Sequence, residues 1–426
     1  MEDRKARRFF LASIAVLALG SCFMWGYASR HRGSWPHELI VDGHTAARSL
    51  AQYGRIMPIN LMNPAPSDAA PVHAMVHQPD RMLPGWYVVL GWDADYGCHS
   101  ARLLDDVGHL HHTWPIDYGR LDDDGPLNGS DAPHGLLVMA DGSLIVVFDN
   151  ADVMARLDPC GEPLWVRSGV FHHSLNRDDD GTVWTWHSVG TPSAHHQEML
   201  RFDPATGEAL ETIALLDDVF SHGAEAELVL GLPTDYGFRR FQRTPTDPTG
   251  MDLFHPNDVE PLAADMAAAF PRFEAGDLLF SLRNLDLVAV IDRRTHQLKW
   301  WRHGPWIEQH DPDFRSDGLI SVYSNNPYRG RSNLIVVDPN TGQVHDPLRG
   351  SETRFYSGAM GKHQTLPGGN ILIVVPEEGR VLIAAPDGGR VAEFNNLVDR
   401  LPGVHGHVAN AVWLPPDFFT TPPACR

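Results

Sequence analysis

Cysteine is scarce in this chain, with Cys22, Cys98, Cys160 and Cys425 the four in 426 residues. No C-x-x-C pair or zinc-finger spacing occurs among them, so cysteine gives no support for a structural zinc site. Basic residues are also few: 34 Lys and Arg face 54 Asp and Glu, a formal charge of −20. Residues 1–30 hold five basic and two acidic residues, so residues 31–426 carry −23. A body this acidic repels phosphate backbones, and nucleic acid is not an expected partner. Long Ala/Glu/Lys/Leu stretches are rare, which argues against a helical bundle. A G-x-x-x-x-G-K-[ST] loop is missing as well, because Gly358-Ala359-Met360-Gly361-Lys362 is too short to form one.

Turn formers and tryptophan are plentiful instead: 38 Gly, 33 Pro and 12 Trp. Short aromatic-rich strands with frequent turns are a mark of propeller blades. Arg4, Lys5, Arg7 and Arg8 precede an uncharged run from Phe9 to Ala28. Its 20 residues are long enough for a bilayer core of about 30 Å, with the N-terminus in the cytoplasm. The reading is a transmembrane anchor over 1–30, with the body outside the cytoplasm. Leu19-Gly20-Ser21-Cys22 also resembles a lipoprotein lipobox, and plain cleavage of a signal peptide is a third reading. In such a compartment Cys98 and Cys160 are candidates to pair, or to stay as two thiols.

Beyond a lead segment over 31–75, the chain repeats itself. One element is an apolar pair, Asp and a tight turn: Leu157-Asp158 to Gly161, Phe202-Asp203 to Gly207, Ile291-Asp292 to His296 and Val337-Asp338 to Gly342. A second is a turn glycine feeding an apolar strand, as at Gly142, Gly181, Gly276, Gly318 and Gly369. Two hairpins per unit make a four-stranded blade. Six units predict an all-β fold over 76–426, a six-bladed β-propeller. Insertions are expected near 214–250 and as a short helix from Pro261 to Phe270.

Histidine occupies one slot of the repeat. His134, His173 and His310 each stand eight residues before a turn glycine, Gly142, Gly181 and Gly318. His255 precedes Gly276 by 21 residues, the offset an insertion would give. The last unit has Gly361 in the slot, with Lys362 and His363 beside it; His407 is a further candidate, and His77 lacks strand-like flanks. Equivalent positions in a propeller converge on the axis. Converging imidazoles suit proton transfer, metal ligation or nucleophilic attack.

The segments His255-Pro256-Asn257 and Ser281-Leu282-Arg283, then Gln309-His310-Asp311 followed by Ser324-Asn325, resemble the signature of bacterial arylsulfate sulfotransferases. That resemblance implies a six-bladed propeller moving a sulfuryl group from a phenolic sulfate ester to a phenol through a sulfohistidine, without a nucleotide donor or cofactor. It makes His310 the nucleophile. His255, Asn257 and Arg283 would hold the sulfuryl oxygens, and His173 would assist proton transfer. The implied partners are a small aryl sulfate and a phenolic acceptor. Two other readings of the residues stay open: a metal-dependent propeller lyase or hydrolase with histidine ligands, and a non-catalytic propeller that docks a partner or glycan.

Overall fold

The structure is a computed structural model that describes residues 2–32, 61–121, 132–148, 153–189, 196–220, 229–230, 254–327 and 330–425. The chain divides into two compact units, Met1–Ile59 and Asn60–Arg426. The described part of the first is one helix, Glu2–Arg32. Among the described residues no helix is long and apolar enough to cross a membrane. Ser13, Gly20, Ser21, Gly26 and Tyr27 interrupt the uncharged run and dilute its apolar character.

The second unit is an all-β, six-bladed propeller. Blades two to five each take four consecutive antiparallel strands. Their innermost strands are Pro133–Val138, Val170–Arg177, Pro256–Pro261 and His310–Phe314. The innermost strand of blade six is Lys362–Thr365, and that of blade one is Val408–Leu414. These six strands touch one another in a closed cycle, which makes the sheets a ring. Closure draws on both ends of the body: Val408–Leu414 pairs with Trp86–Asp93 in blade one, and Ala74–Val76 adds a fifth strand to blade six beside Arg390–Asn395. Another lead strand, Met62–Pro64, pairs with Val404–Gly406.

Burial follows from this stacking. A middle strand has a neighbouring blade on each face, so it reads as an unbroken apolar run rather than an alternating one. Leu144–Phe148, Leu278–Leu282, Leu287–Ile291 and Ile371–Val375 are buried at every position. The outermost strand Pro163–Ser168 has no such cover and stays partly exposed. The Asp of each repeat caps its turn: the Asp158 carboxylate accepts from the Cys160 and Glu162 amides at 2.8 and 2.9 Å. Gly161 then turns left-handed at φ 81°.

Two expectations change, and a third is described only in part. The stretch from Pro261 to Phe270 is not a helix. It begins as the end of a strand and forms only a 3-10 turn, Ala267–Ala269, because Leu262, Phe270 and Phe273 are held in the core at either end. Of the insertion near 214–250, the described part holds a π-turn over Leu215–Val219; residues 221–228 and 231–253 lie outside the described residues, as do 33–60 of the lead. Cys160 bonds to Cys425 rather than to Cys98, which is a free thiol. The tail past blade one crosses to blade two, where the Thr420 amide donates to Ala140 O at 2.8 Å, and this crossing brings Cys425 to Cys160.

The disulfide therefore staples the last strand's tail to the second blade. Cys425→Ser is expected to lower stability by about 2–4 kcal/mol, the usual range for a native cross-link. Chemical denaturation without reductant measures the difference, and a thiol reductant should bring the two proteins to the same midpoint.

Candidate active site

Histidine reaches the axis because the inner strands of blades two to five break their ladders at or next to the histidine slot. Pairing with the second strand shifts register between Pro133 and Gly135, His172 and Asn176, Pro256 and Asp258, and His310 and Asp313. Blade one has the same break between Val408 and Asn410, beside the buried His407. A bulge of this kind re-aims one side chain out of the alternating pattern. Several of these residues take a left-handed backbone that non-glycine residues avoid: His173 at φ 66°, His255 at 45° and Asp311 at 51°. Each costs on the order of 1–3 kcal/mol, and such residues gather at functional sites. Blade six holds no histidine in the slot, since a Cβ on Gly361 would lie 2.5 Å from the Tyr323 ring.

Four imidazoles from four blades come together. The ring centres of His134 and His173 are 4.8 Å apart, and those of His173 and His255 are 5.1 Å apart. His310 lies 6.2 Å from His173 and 6.4 Å from His134. His77 is away from this group, at Glu393, 3.1 Å from its carboxylate.

His310 is buried, and its Nδ1 is 2.7 Å from Asn325 Oδ1. The Asn325 amide nitrogen donates to the carbonyls of Ser357 and Met360 at 3.0 and 2.6 Å, which fixes its oxygen toward the ring. Nδ1 must then carry the proton, and the lone pair sits on Nε2. Burial, then the charges of Arg283 and His134, hold this imidazole well below its usual pKa, against the Asn325 bond. The ring is neutral at neutral pH.

Arg283 stands on the turn after Leu278–Leu282 and donates from Nη2 to Glu308 at 2.9 Å; its Nε is buried without a hydrogen-bond partner. The Asn257 amide donates to Gln309 O at 2.6 Å, which commits one of its two N–H groups. Gln309 itself is a bolt between blades: its amide nitrogen donates to Ser281 Oγ at 2.8 Å and Leu287 O at 2.9 Å.

The sequence reading passes over two features. His172 is buried behind His173, with the two Nδ1 atoms 2.8 Å apart. Its neighbour in sequence occupied the slot, so only the His-His doublet hinted at it. Beside the imidazoles lies a carboxylate layer of Asp258, Glu260, Asp311 and Asp313 around Lys362 and His363. The Lys362 ammonium is 2.6 Å from Asp311 and 3.7 Å from Asp258. Asp311 also accepts from the His363 amide at 2.5 Å. Burial raises the Asp258 carboxyl to about 6, against the pull of Lys362. Asp311 is buried too, yet Lys362 and His363 hold it below the ordinary carboxylate range. Burial and the Asp258 charge push Glu260 well up.

Two groupings have metal-ligand spacing. His173, His255 and His310 offer ring nitrogens within 4.8 Å of one another, and Asp311, Asp313 and His363 form a second set at the same limit.

Asp311 has His363 beside it at 3.1 Å, and among the described ion pairs Lys362 is the one lysine or arginine in contact with the buried carboxylates Asp258 and Asp311. Removing it leaves those charges unbalanced, so Lys362→Met should cost about 3–5 kcal/mol at neutral pH. Without the ammonium the native pKa of Asp258, already raised by burial, rises further, and that of Asp311 rises from its depressed value. The native state then binds more protons, and the variant gains stability as pH falls from 7 toward 5. Thermal melts of both proteins across that window check this: the gap in Tm should shrink on acidification.

No curated protein matches this chain. Solved structures similar to it include a protein of unknown function from Bacteroides caccae, at 11% identity and TM-score 0.47, covering 77% of this chain and 98% of that one. TolB from Acinetobacter baumannii is 13% identical, with TM-score 0.46 and coverage of 78% and 67%. Virginiamycin B lyase from Staphylococcus aureus is 11% identical, with TM-score 0.34 and coverage of 62% and 70%. None of these likenesses bears on function. The sequence profile of the arylsulfotransferase (ASST) family is a different matter: it matches residues 134–396, from the histidine of blade two to the last strand of blade six. That is more than half of the 426 residues, and the chain belongs to the arylsulfotransferase family.

Proposed function

We propose that the protein moves a sulfuryl group from an aryl sulfate to a phenolic acceptor through a sulfohistidine on His310 Nε2. The observation that carries this reading is the state of His310: a buried, neutral ring whose proton is fixed on Nδ1 by Asn325. A neutral imidazole with a bare Nε2 is a nucleophile, and covalent capture splits one hard transfer into two easier steps. When Nε2 bonds to sulfur the ring becomes cationic, and the Nδ1–H bond to Asn325 becomes charge-assisted.

Sulfuryl transfer spreads negative charge over the equatorial oxygens and the leaving phenolate. Arg283 supplies the fixed positive charge for the oxygens, with His255 and the remaining N–H of Asn257 as further donors. His173, within 4.8 Å of the other two imidazoles by its nearest ring nitrogen, moves the proton between acceptor and leaving phenol. The donor needs no nucleotide, and neither nucleic acid nor a cofactor enters. A second reading has one observation in its favour: the spacing of His173, His255 and His310 also suits a divalent metal and a lyase or hydrolase.

Incubation with a chromogenic aryl sulfate, with and without a phenol, separates the two. Wild-type protein should turn over and show a sulfuryl adduct by intact mass. His310→Ala should lose both. Arg283→Ala should keep its fold and turn over roughly 10²–10³ slower, the scale for one transition-state donor. An adduct-free wild type that holds stoichiometric metal would transfer the assignment to the metal reading.

We further propose that the helix Glu2–Arg32 holds the body at the extracytoplasmic face of a bacterial inner membrane. Support comes from the basic residues before the uncharged run, the exposed side chains of Phe10, Leu17, Leu19 and Phe23, and a disulfide typical of oxidising compartments. Deleting residues 1–28 behind a cleavable export signal should release a soluble, folded body. If Cys22→Ser alone releases it, the segment is a lipoprotein signal instead.

A further inference from the structure

A buried relay stands behind His173 and has no part in the roles assigned so far. His172 Nε2 lies 3.0 Å from both Ser188 Oγ and Gln197 Oε1. The Ser188 hydroxyl donates to Gln197 Oε1 at 2.8 Å. An amide oxygen only accepts, and the serine proton is already directed to it, so His172 Nε2 must be the donor. His172 Nδ1 is then a bare acceptor. It is 2.8 Å from His173 Nδ1, which must carry the shared proton. The chain Gln197 to His172 to His173 thus sets the tautomer of His173 and leaves the basic lone pair on its Nε2.

We infer that His172 is a positioning residue that makes His173 Nε2 the general base for the acceptor phenol. This deepens, and rests on, the sulfotransferase reading. In the second half-reaction the acceptor O–H bond breaks and its proton moves to His173 Nε2. The acceptor oxygen forms the new O–S bond while the N–S bond to His310 breaks, and that electron pair returns to His310 Nε2. Burial and the neighbouring imidazoles hold His173 well below its usual pKa, so it passes this proton on through solvent, and the phenolate that leaves the next donor takes one up; proton and sulfuryl group both balance over one turnover. Protonated His173 binds its Nδ1–H more tightly to His172 Nδ1, as a carboxylate partner would elsewhere. The left-handed backbone of His173 serves the same end, because it swings the ring off the ladder while His172 keeps its place against Ser188 and Gln197.

Nitrogen NMR of the full-length protein labelled with 15N-histidine tests this, with His173 assigned by difference against His173→Ala. The expected spectrum has a protonated Nδ1 and an unprotonated Nε2 on His173. The opposite tautomer in wild type overturns the inference whether or not any variant folds. His172→Ala should scramble that tautomer and lower kcat about 10- to 100-fold, the usual loss for a supporting hydrogen-bond partner, with KM little changed. His172→Gln, which keeps an acceptor, should recover most of the rate; an unaltered kcat in His172→Ala also overturns the inference. If wild type transfers no sulfuryl group from any aryl sulfate, the sulfotransferase reading fails, and with it the catalytic role of His172. The tautomer spectrum still decides whether the relay exists.

Discussion

One buried ion pair fastens the axis of this propeller. The chain has three lysines, and Lys362 is the one placed among the inner strands. Its ammonium joins blade six to Asp311 of blade five at 2.6 Å and faces Asp258 of blade four at 3.7 Å. Asp311 sits in a left-handed conformation at φ 51°, which an aspartate holds only when something over-determines it. Lys362 and the His363 amide do so. The next residue back along the chain is His310, so the pair that fixes Asp311 also fixes the bulge that turns His310 inward. Burying charge costs several kcal/mol per ion; here that cost maintains a geometry rather than general stability.

On the proposed reading the site draws an anion into a protein of net charge −20. Neutral imidazoles do not help by charge, since burial and mutual repulsion keep His173 and His310 well below their usual pKa values. Arg283 is the cation that bears on His310. It is already paired with Glu308 through one nitrogen, but a guanidinium has five N–H donors in a rigid fork. An oxyanion can join the fork without displacing the glutamate. Glu308 thereby keeps the guanidinium from swinging to solvent, and the same positive charge that helps a sulfuryl group also depresses the basicity of His310. His310 gives up proton affinity and stays a free base, which is what the proposed nucleophilic role requires.

The sequence carried the axial histidines because a blade is a repeat and a repeat has offsets. Eight residues from histidine to turn glycine is the length of one inner strand plus its turn, so His134, His173 and His310 could be placed without coordinates. His255 was legible only once the irregular stretch before Gly276 was treated as inserted, and that stretch then proved to be a 3-10 turn. Other features left no periodic mark. His172 lies one residue outside the slot, and its partners Ser188 and Gln197 come from the next two strands. The supporting role of Asn325 depends on two carbonyls in a loop 32 and 35 residues further on. The bond from Cys160 to Cys425 depends on where the tail crosses, which no spacing rule encodes.

The placement of the histidines around the ring follows from how the ring is closed. The clustered imidazoles belong to blades two to five, each built from one uninterrupted stretch of four strands. Blades one and six are assembled from distant parts of the chain, and there the slot holds His407 beside the closing strand and Gly361 under Tyr323. A seam joins segments far apart in the chain, whereas a transfer site loses rate with displacements of about 1 Å. Strained backbone at His173 and His255 persists only if the whole circle is tight. The extra strand Ala74–Val76, the closing strand Val408–Leu414 and the disulfide to blade two all act on the seam side. Their effect reaches the opposite side of the axis, because a closed ring cannot loosen at one joint without relaxing the others.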